Sequence, residues 1–185
     1  VIGSRALSSV LVEGKEDGNG IHVTTKNITY CTPGMYENAL ATAGIKDADI
    51  IVAGPFKISG TAALVGAIKS YENMTGEEVK EENVETATNE LVITGQIAED
   101  VGSQEKAEQL IGAIKGEVVS SGVSSPEEIG EIVDQAVKEM EVKLSEEDRQ
   151  AIVKLMEKIE NLDLDINSLK EQAKNLYDKI EDLGL

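Results

Sequence analysis

The chain has almost none of the side chains on which most reaction centres are built: one histidine (His22), one cysteine (Cys31) and no tryptophan in 185 residues. A single thiol can form neither an internal disulfide nor a thiolate metal cluster, so Cys31 is expected to pack as a small hydrophobe. Aromatic residues make up only 3% of the sequence. Tyr30, Tyr36, Phe56, Tyr71 and Tyr177 are too sparse to form the stacking platforms on which sugars and single-stranded nucleic acids are held. Apolar runs are short as well. None approaches the roughly 18 residues that a membrane-spanning helix needs, and no transmembrane span is expected. Basic residues are scarce, 17 against 35 acidic, and the net charge is −18. Residues 1–100 carry 7 basic and 15 acidic residues and residues 101–185 carry 10 and 20, so the acidity is spread over the whole surface. Such a field repels phosphodiester backbones and anionic headgroups, which argues against nucleic acid as a partner.

The residues that are present build secondary structure. Ala6 to Val12 and Ile21 to Tyr30 are rich in Val, Ile and Thr, and the polar GKEDGNG between them has turn composition. This pattern predicts a β-hairpin. Pro33 suits a helical first turn, Met35, Ala39, Leu40 and Ala43 follow at helical spacing, and Gly44 supplies a stop. The apolar run Ile50, Ile51, Val52 and Ala53 ahead of Gly54 and Pro55 suits a buried strand. The order is therefore β-β-α-β. Beyond Gly60 the period becomes helical: Leu64, Ala67, Ile68 and Tyr71 mark one helix, and Val84, Ala87, Leu91, Gly95 and Ala98 a second. Ser103 to Ser121 predicts a third, closed by Gly122. Ser125 with Pro126, Glu127 and Glu128 forms a capping box that opens a fourth, and Ser145 opens a fifth. The expected fold class is α+β, a small three-stranded sheet in residues 1–76 followed by a mainly helical region in residues 77–185.

From Ile152 to Leu183 apolar residues alternate at three- and four-residue spacing, as in a coiled-coil seam. Two readings stay open. Residues 145–183 form one helix about 58 Å long, or the chain breaks at Asp163 to Asp165 and folds back as a helical hairpin with Leu164 stapled onto Leu169. In either case packing within the chain is preferred to self-association through the heptads.

Little of this chemistry survives comparison with plainer explanations. Asp163, Asp165 and Asn167 begin like a calcium loop, but Ser168 replaces the turn glycine and Lys174 the final glutamate, so helix capping explains them and no metal or cofactor is expected. His22 should face opposite to Ile21 and Val23, toward solvent or a covering loop, with no local nucleophile or acid to work with, and no catalytic residue is assigned. The paired carboxylates read as helical first turns and solvated faces. One candidate remains for a small ligand or anion: Ser59, Gly60 and Thr61, where a strand runs into a helix and free backbone donors face a positive dipole end, with Tyr30 or His22 nearby. The lysine of a phosphate loop is missing there.

Four stretches, IGSRALSSVLVE (2–13), MYENALATAGIKDADIIVAGPFKISGTAAL (35–64), NELVITG (89–95) and LMEKIENLDLDINSLKEQAK (155–174), resemble the YpuA-like exported proteins of unknown function from Gram-positive bacteria. The resemblance spans nearly the whole chain. It implies export through a signal peptide, an extracellular or cell-envelope location, and an upstream portion of the domain, in keeping with a chain that opens on Val1. It implies no activity, ligand or site residue. The expected function is that of a non-enzymatic interaction protein whose partner is another envelope or extracellular protein.

Overall fold

The computed structural model describes residues 7–164 and 169–170. Its elements run β1 (Ser9–Gly14), β2 (Ile21–Ile28), α1 (Pro33–Thr42), β3 (Ala48–Ile58), α2 (Ala63–Thr75), α3 (Glu81–Val101), α4 (Gln104–Ser121), α5 (Pro126–Glu139) and α6 (Glu146–Glu160). The chain divides into two compact units, Val1–Leu91 and Val92–Leu185. The fold is α+β, a three-stranded mixed sheet followed by helices.

In the first unit the strand order is β1-β3-β2, with β1 antiparallel and β2 parallel to β3. The predicted hairpin does not form, because β3 lies between the two strands expected to pair. The physical reason lies in their patterns. β3 carries the longest apolar run, Ile50 to Ala53, and pairs along both edges, whereas β1 has only Val10 to Val12 and β2 alternates from Ile21 to Thr24, so each suits an edge. The β1–β2 connection is pinned to the entry of β3: Lys15 N donates to the Asp47 carbonyl at 2.7 Å, Gly20 N to the Asp47 carboxylate at 2.9 Å, and Ala48 N to the Gly20 carbonyl at 3.0 Å. With α1 between them, β2 and β3 form the crossover that parallel pairing requires. Thr32 caps α1 by accepting from Met35 N at 3.2 Å, Pro33 fills the first turn, and Gly44 leaves it with φ +88°.

β3 runs through Pro55 without harm. Its ladder with β1 ends at Ala53, and opposite β2 a register shift between Lys26 and Ile28 places Asn27 at φ 60°, where its amide donates to the Gly54 carbonyl at 2.9 Å. One sheet face packs on helices. Ile21, Val23, Ile50 and Val52 are buried with Met35, Tyr36 and Leu40 of α1 and Leu64 and Ile68 of α2. At about 1.5–3 kcal/mol for each large apolar side chain withdrawn from water, this core is what holds the sheet.

In the second unit α4 buries Ala107, Leu110, Ile111, Ile114 and Val118, the row its sequence predicts, with Ser103 as N-cap and Gly122 closing it at φ 67°. α5 packs on α4 and on α6 through Ile129 and Val133, and α6 contributes Ile152, Leu155, Met156 and Ile159. Ser125 and Ser145 cap α5 and α6, accepting from Glu128 N and Asp148 N at 3.2 Å each. A bidentate Arg149–Asp134 pair ties α6 to α5 at 2.7 and 2.8 Å. α6 ends at Glu160 with Asn161 as C-cap, so residues 145–183 are not one uninterrupted helix. Leu169 is buried, as its place in the expected staple requires, while the return of the chain from Asp165 and the calcium-like residues Asp165 and Asn167 lie outside the described residues.

Candidate functional site

The turn singled out by sequence packs against the core of the first unit. Gly60 is buried at φ +90°, and an added Cβ would run into the Tyr36 hydroxyl and stand 2.6 Å from Ile28 Cγ2. The Gly60 carbonyl accepts from the Tyr36 hydroxyl at 2.6 Å and from Ala63 N at 2.9 Å, while the Ser59 carbonyl accepts from Cys31 N at 3.1 Å. Neither Ser59 nor Thr61 caps α2, whose N-cap is Ala62 without a side-chain hydrogen bond. Cys31 is buried as a small apolar group, and burial pushes its thiol up to about 11. Burial also raises the Tyr36 hydroxyl, which keeps it a neutral donor.

The structure brings Tyr30 to this turn, since its neighbours Thr29 and Cys31 bond to the carbonyls of Ile58 and Ser59. It does not bring His22. His22 pairs in register with Asp49, near the start of β3, whereas Ser59 follows the end of that strand, about 30 Å away at 3.3 Å per residue. As expected, the imidazole is exposed; its Nδ1 lies 3.5 Å from Asp49 and 3.3 Å from the Asn19 amide. Lys15 reaches Glu13 and Asp49 at 3.0 Å each, and this hydrogen bonding holds the Asp49 carboxyl below its ordinary value. The result is a solvated cross-strand network on the open sheet face. The side chains of Glu13, Lys15, His22 and Asp49 are 27% to 68% exposed.

Sequence reasoning missed a set of buried polar side chains on α3. Asn83, Thr86, Glu90 and Thr94 are buried, and the Glu90 carboxylate accepts a hydrogen bond from the Thr42 hydroxyl on α1. The Asn83 carbonyl oxygen has no hydrogen-bond partner. The spacing i, i+3, i+7 and i+11 places all four on one stripe, but polar residues at those positions look in sequence like a solvated face. Among the described residues no group of His, Cys, Asp or Glu is placed to hold a metal ion.

One concave feature among the described residues of the second unit is a groove between α4 and α5, about 630 Å³ in volume. Both walls follow from helical period. Ala113, Glu117 and Ser121 form one row of α4, and Glu128, Ile132, Ala136 and Glu139 lie along the facing side of α5. Its floor is apolar and small: Ala113, Val123, Ile132 and Ala136. The rim is acidic, with Glu117, Glu128, Glu131 and Glu139, and no Lys, Arg or His lines it. Ser125 donates its hydroxyl to the Glu128 carboxylate at 2.8 Å, and the Gln135 amide donates to Glu139. These bonds orient two rim carboxylates without neutralising them. The sequence signal was present in the α5 pattern, but acidic residues spaced one turn apart read as solvation until α4 supplies the opposite wall.

Residues 1–176 match a family model described as "Protein of unknown function (DUF1002)". Over 180 residues the sequence is 40% identical to the "Uncharacterized protein YpuA" of Bacillus subtilis (strain 168). The aligned part covers 97% of this chain and 62% of that relative, so the chain spans less than two thirds of the relative's length. No solved structure matches. Among the described residues no helix is long and apolar enough to cross a membrane.

Proposed function

Starting from the fact that the chain belongs to the DUF1002 family of proteins of unknown function, we propose that it is a non-enzymatic interaction module of the cell envelope or extracellular space. Its acidic helical unit contacts another envelope or extracellular protein. The observation that carries this reading is the α4/α5 groove, an apolar floor ringed by four glutamates with no counter-cation among its lining residues. Apolar area supplies affinity, and the uncompensated rim supplies attraction for a basic partner and rejection of acidic ones. A net charge of −18 extends that selection over the whole surface. The envelope location rests on the likeness to the YpuA-like exported proteins.

The test is crosslinking of the full-length protein in its own envelope, followed by binding measurements on the recovered partner across a range of salt. The reading expects an affinity that falls as ionic strength rises and falls again when Glu128 and Glu131 are changed to Gln. Salt-insensitive binding, or the absence of any partner in the envelope, would refute it. A small-ligand or anion site at Ser59, Gly60 and Thr61 draws less support, because Gly60 is buried against Tyr36 and Ile28 and neither the Ser59 nor the Thr61 side chain caps α2.

A further inference from the structure

We infer that the occupant of the α4/α5 groove is an amphipathic cationic helix of a partner protein, an assignment that rests on the interaction reading above. Three features of the groove select it. The first is backbone chemistry. The walls are helices whose interior N–H and C=O groups are spent on their own ladders, and the wall ends are closed by Ser125 at the start of α5 and by the Gly122 N–H to the Val118 carbonyl. An extended peptide laid on the apolar floor would find no main-chain partner there, whereas a helix arrives with its backbone already satisfied.

The second feature is dimension. Glu128 and Glu139 stand eleven positions apart on one helix, so the acidic rim is about 16 Å long, the length of three helical turns. The third is side-chain size and charge. Ala113 and Ala136 let an incoming helix approach closely, and Ile132 between the rim acids offers one larger apolar contact. Carboxylates on both walls, Glu117 on α4 and Glu128, Glu131 and Glu139 on α5, call for Lys or Arg on both flanks of the occupant's apolar stripe. The docking helix therefore carries a stripe of Ala and Leu at i, i+4 and i+7 with one basic residue per turn on either side.

Peptide binding to the full chain tests this, with amide NMR shifts to locate the contact. One probe is a helix-stabilised peptide of about four turns with a Leu and Ala stripe flanked by Lys. A second has the same composition scrambled so that no stripe forms, and a third replaces Lys by Glu. The striped cationic peptide should bind, with shifts centred on residues 113–139. The scrambled peptide should bind at least about tenfold more weakly, and the acidic one not at all. E128Q/E131Q and, separately, Q135K on the exposed rim should each weaken binding, with unchanged circular dichroism showing that the fold is intact. Equal binding of the striped and scrambled peptides would overturn the helix assignment while leaving an acidic interaction surface in place. Failure of every cationic peptide, with a partner still crosslinked to the protein in its envelope, would overturn the groove as the docking place. Failure to crosslink any partner would instead remove the functional reading beneath it.

Discussion

Substituting Gly60 by Ala should be among the most damaging single-methyl changes this chain can suffer. An L-residue at φ +90° pays roughly 1–2 kcal/mol in backbone strain. The new Cβ would also overlap the Tyr36 hydroxyl and sit 2.6 Å from Ile28 Cγ2, both inside the first unit's core, an overpacking that costs about 1–3 kcal/mol. If Tyr36 yields, its buried hydroxyl loses the Gly60 carbonyl and forfeits about 1 kcal/mol more. The expected total is about 3–6 kcal/mol, a large fraction of an ordinary domain's stability. Gly76→Ala is the control, because Gly76 has a similar φ of +77° and nothing within 4 Å of the added carbon. It should cost only the strain. Denaturant titration gives the totals, and the rate of Cys31 alkylation under native conditions reports opening at this turn, since Cys31 N bonds to the Ser59 carbonyl. Gly60→Ala should speed alkylation far more than Gly76→Ala, and Tyr36→Phe should fall between them. Equal costs for the two glycines would refute the reasoning and return Ser59 to Thr61 to the status of an adaptable turn.

Other consequences follow from individual contacts. Cys31, buried and with its thiol pushed up to about 11, should resist alkylation at neutral pH in the native protein and react at once when denatured. Thr42→Val removes the hydroxyl that donates to the buried Glu90 carboxylate and should destabilise the first unit by about 1–3 kcal/mol, read by denaturant titration. Ser125→Ala should cost about 1 kcal/mol of stability through loss of the cap to Glu128 N. The Arg149 guanidinium holds the Asp134 carboxyl below its ordinary range, so the pair stabilises the fold above the unfolded-state value and that contribution disappears as pH falls through the lowered folded-state value. Asp134→Asn should therefore flatten this part of the acid limb of a stability-versus-pH curve, by well under about 1 kcal/mol because the pair is largely solvated.

Helices were the legible part of this fold. Ser103, Ser125 and Ser145 announced their helices as side-chain caps, and Gly122 its stop, because capping is local chemistry between neighbours in sequence. Strand pairing was not legible. Two alternating segments flanking GKEDGNG predict a hairpin from local pattern alone, whereas the central place of β3 rests on pairing with both β1 and β2, with α2 packed on β1 and α1 on β2, long-range contacts that no local window contains. The same limit hid the candidate groove. Glu128, Glu131 and Glu139 look like solvating charges on α5, and only the facing row Ala113, Glu117 and Ser121 of α4 turns them into a rim. Glu90 escaped notice for the converse reason: its chemistry suggests water and its position denies it.

The most direct test of the interaction account is a photoreactive residue placed at Gln135, on the rim of the α4/α5 groove, in full-length protein in its native envelope, with Thr24 on the exposed sheet face as control. The account predicts that Gln135 crosslinks a Lys- or Arg-rich helical segment of another protein, identified by mass spectrometry, that the yield collapses at high salt, and that Thr24 gives little. Crosslinks that arise equally at both positions, persist in high salt or fall on acidic segments would contradict it.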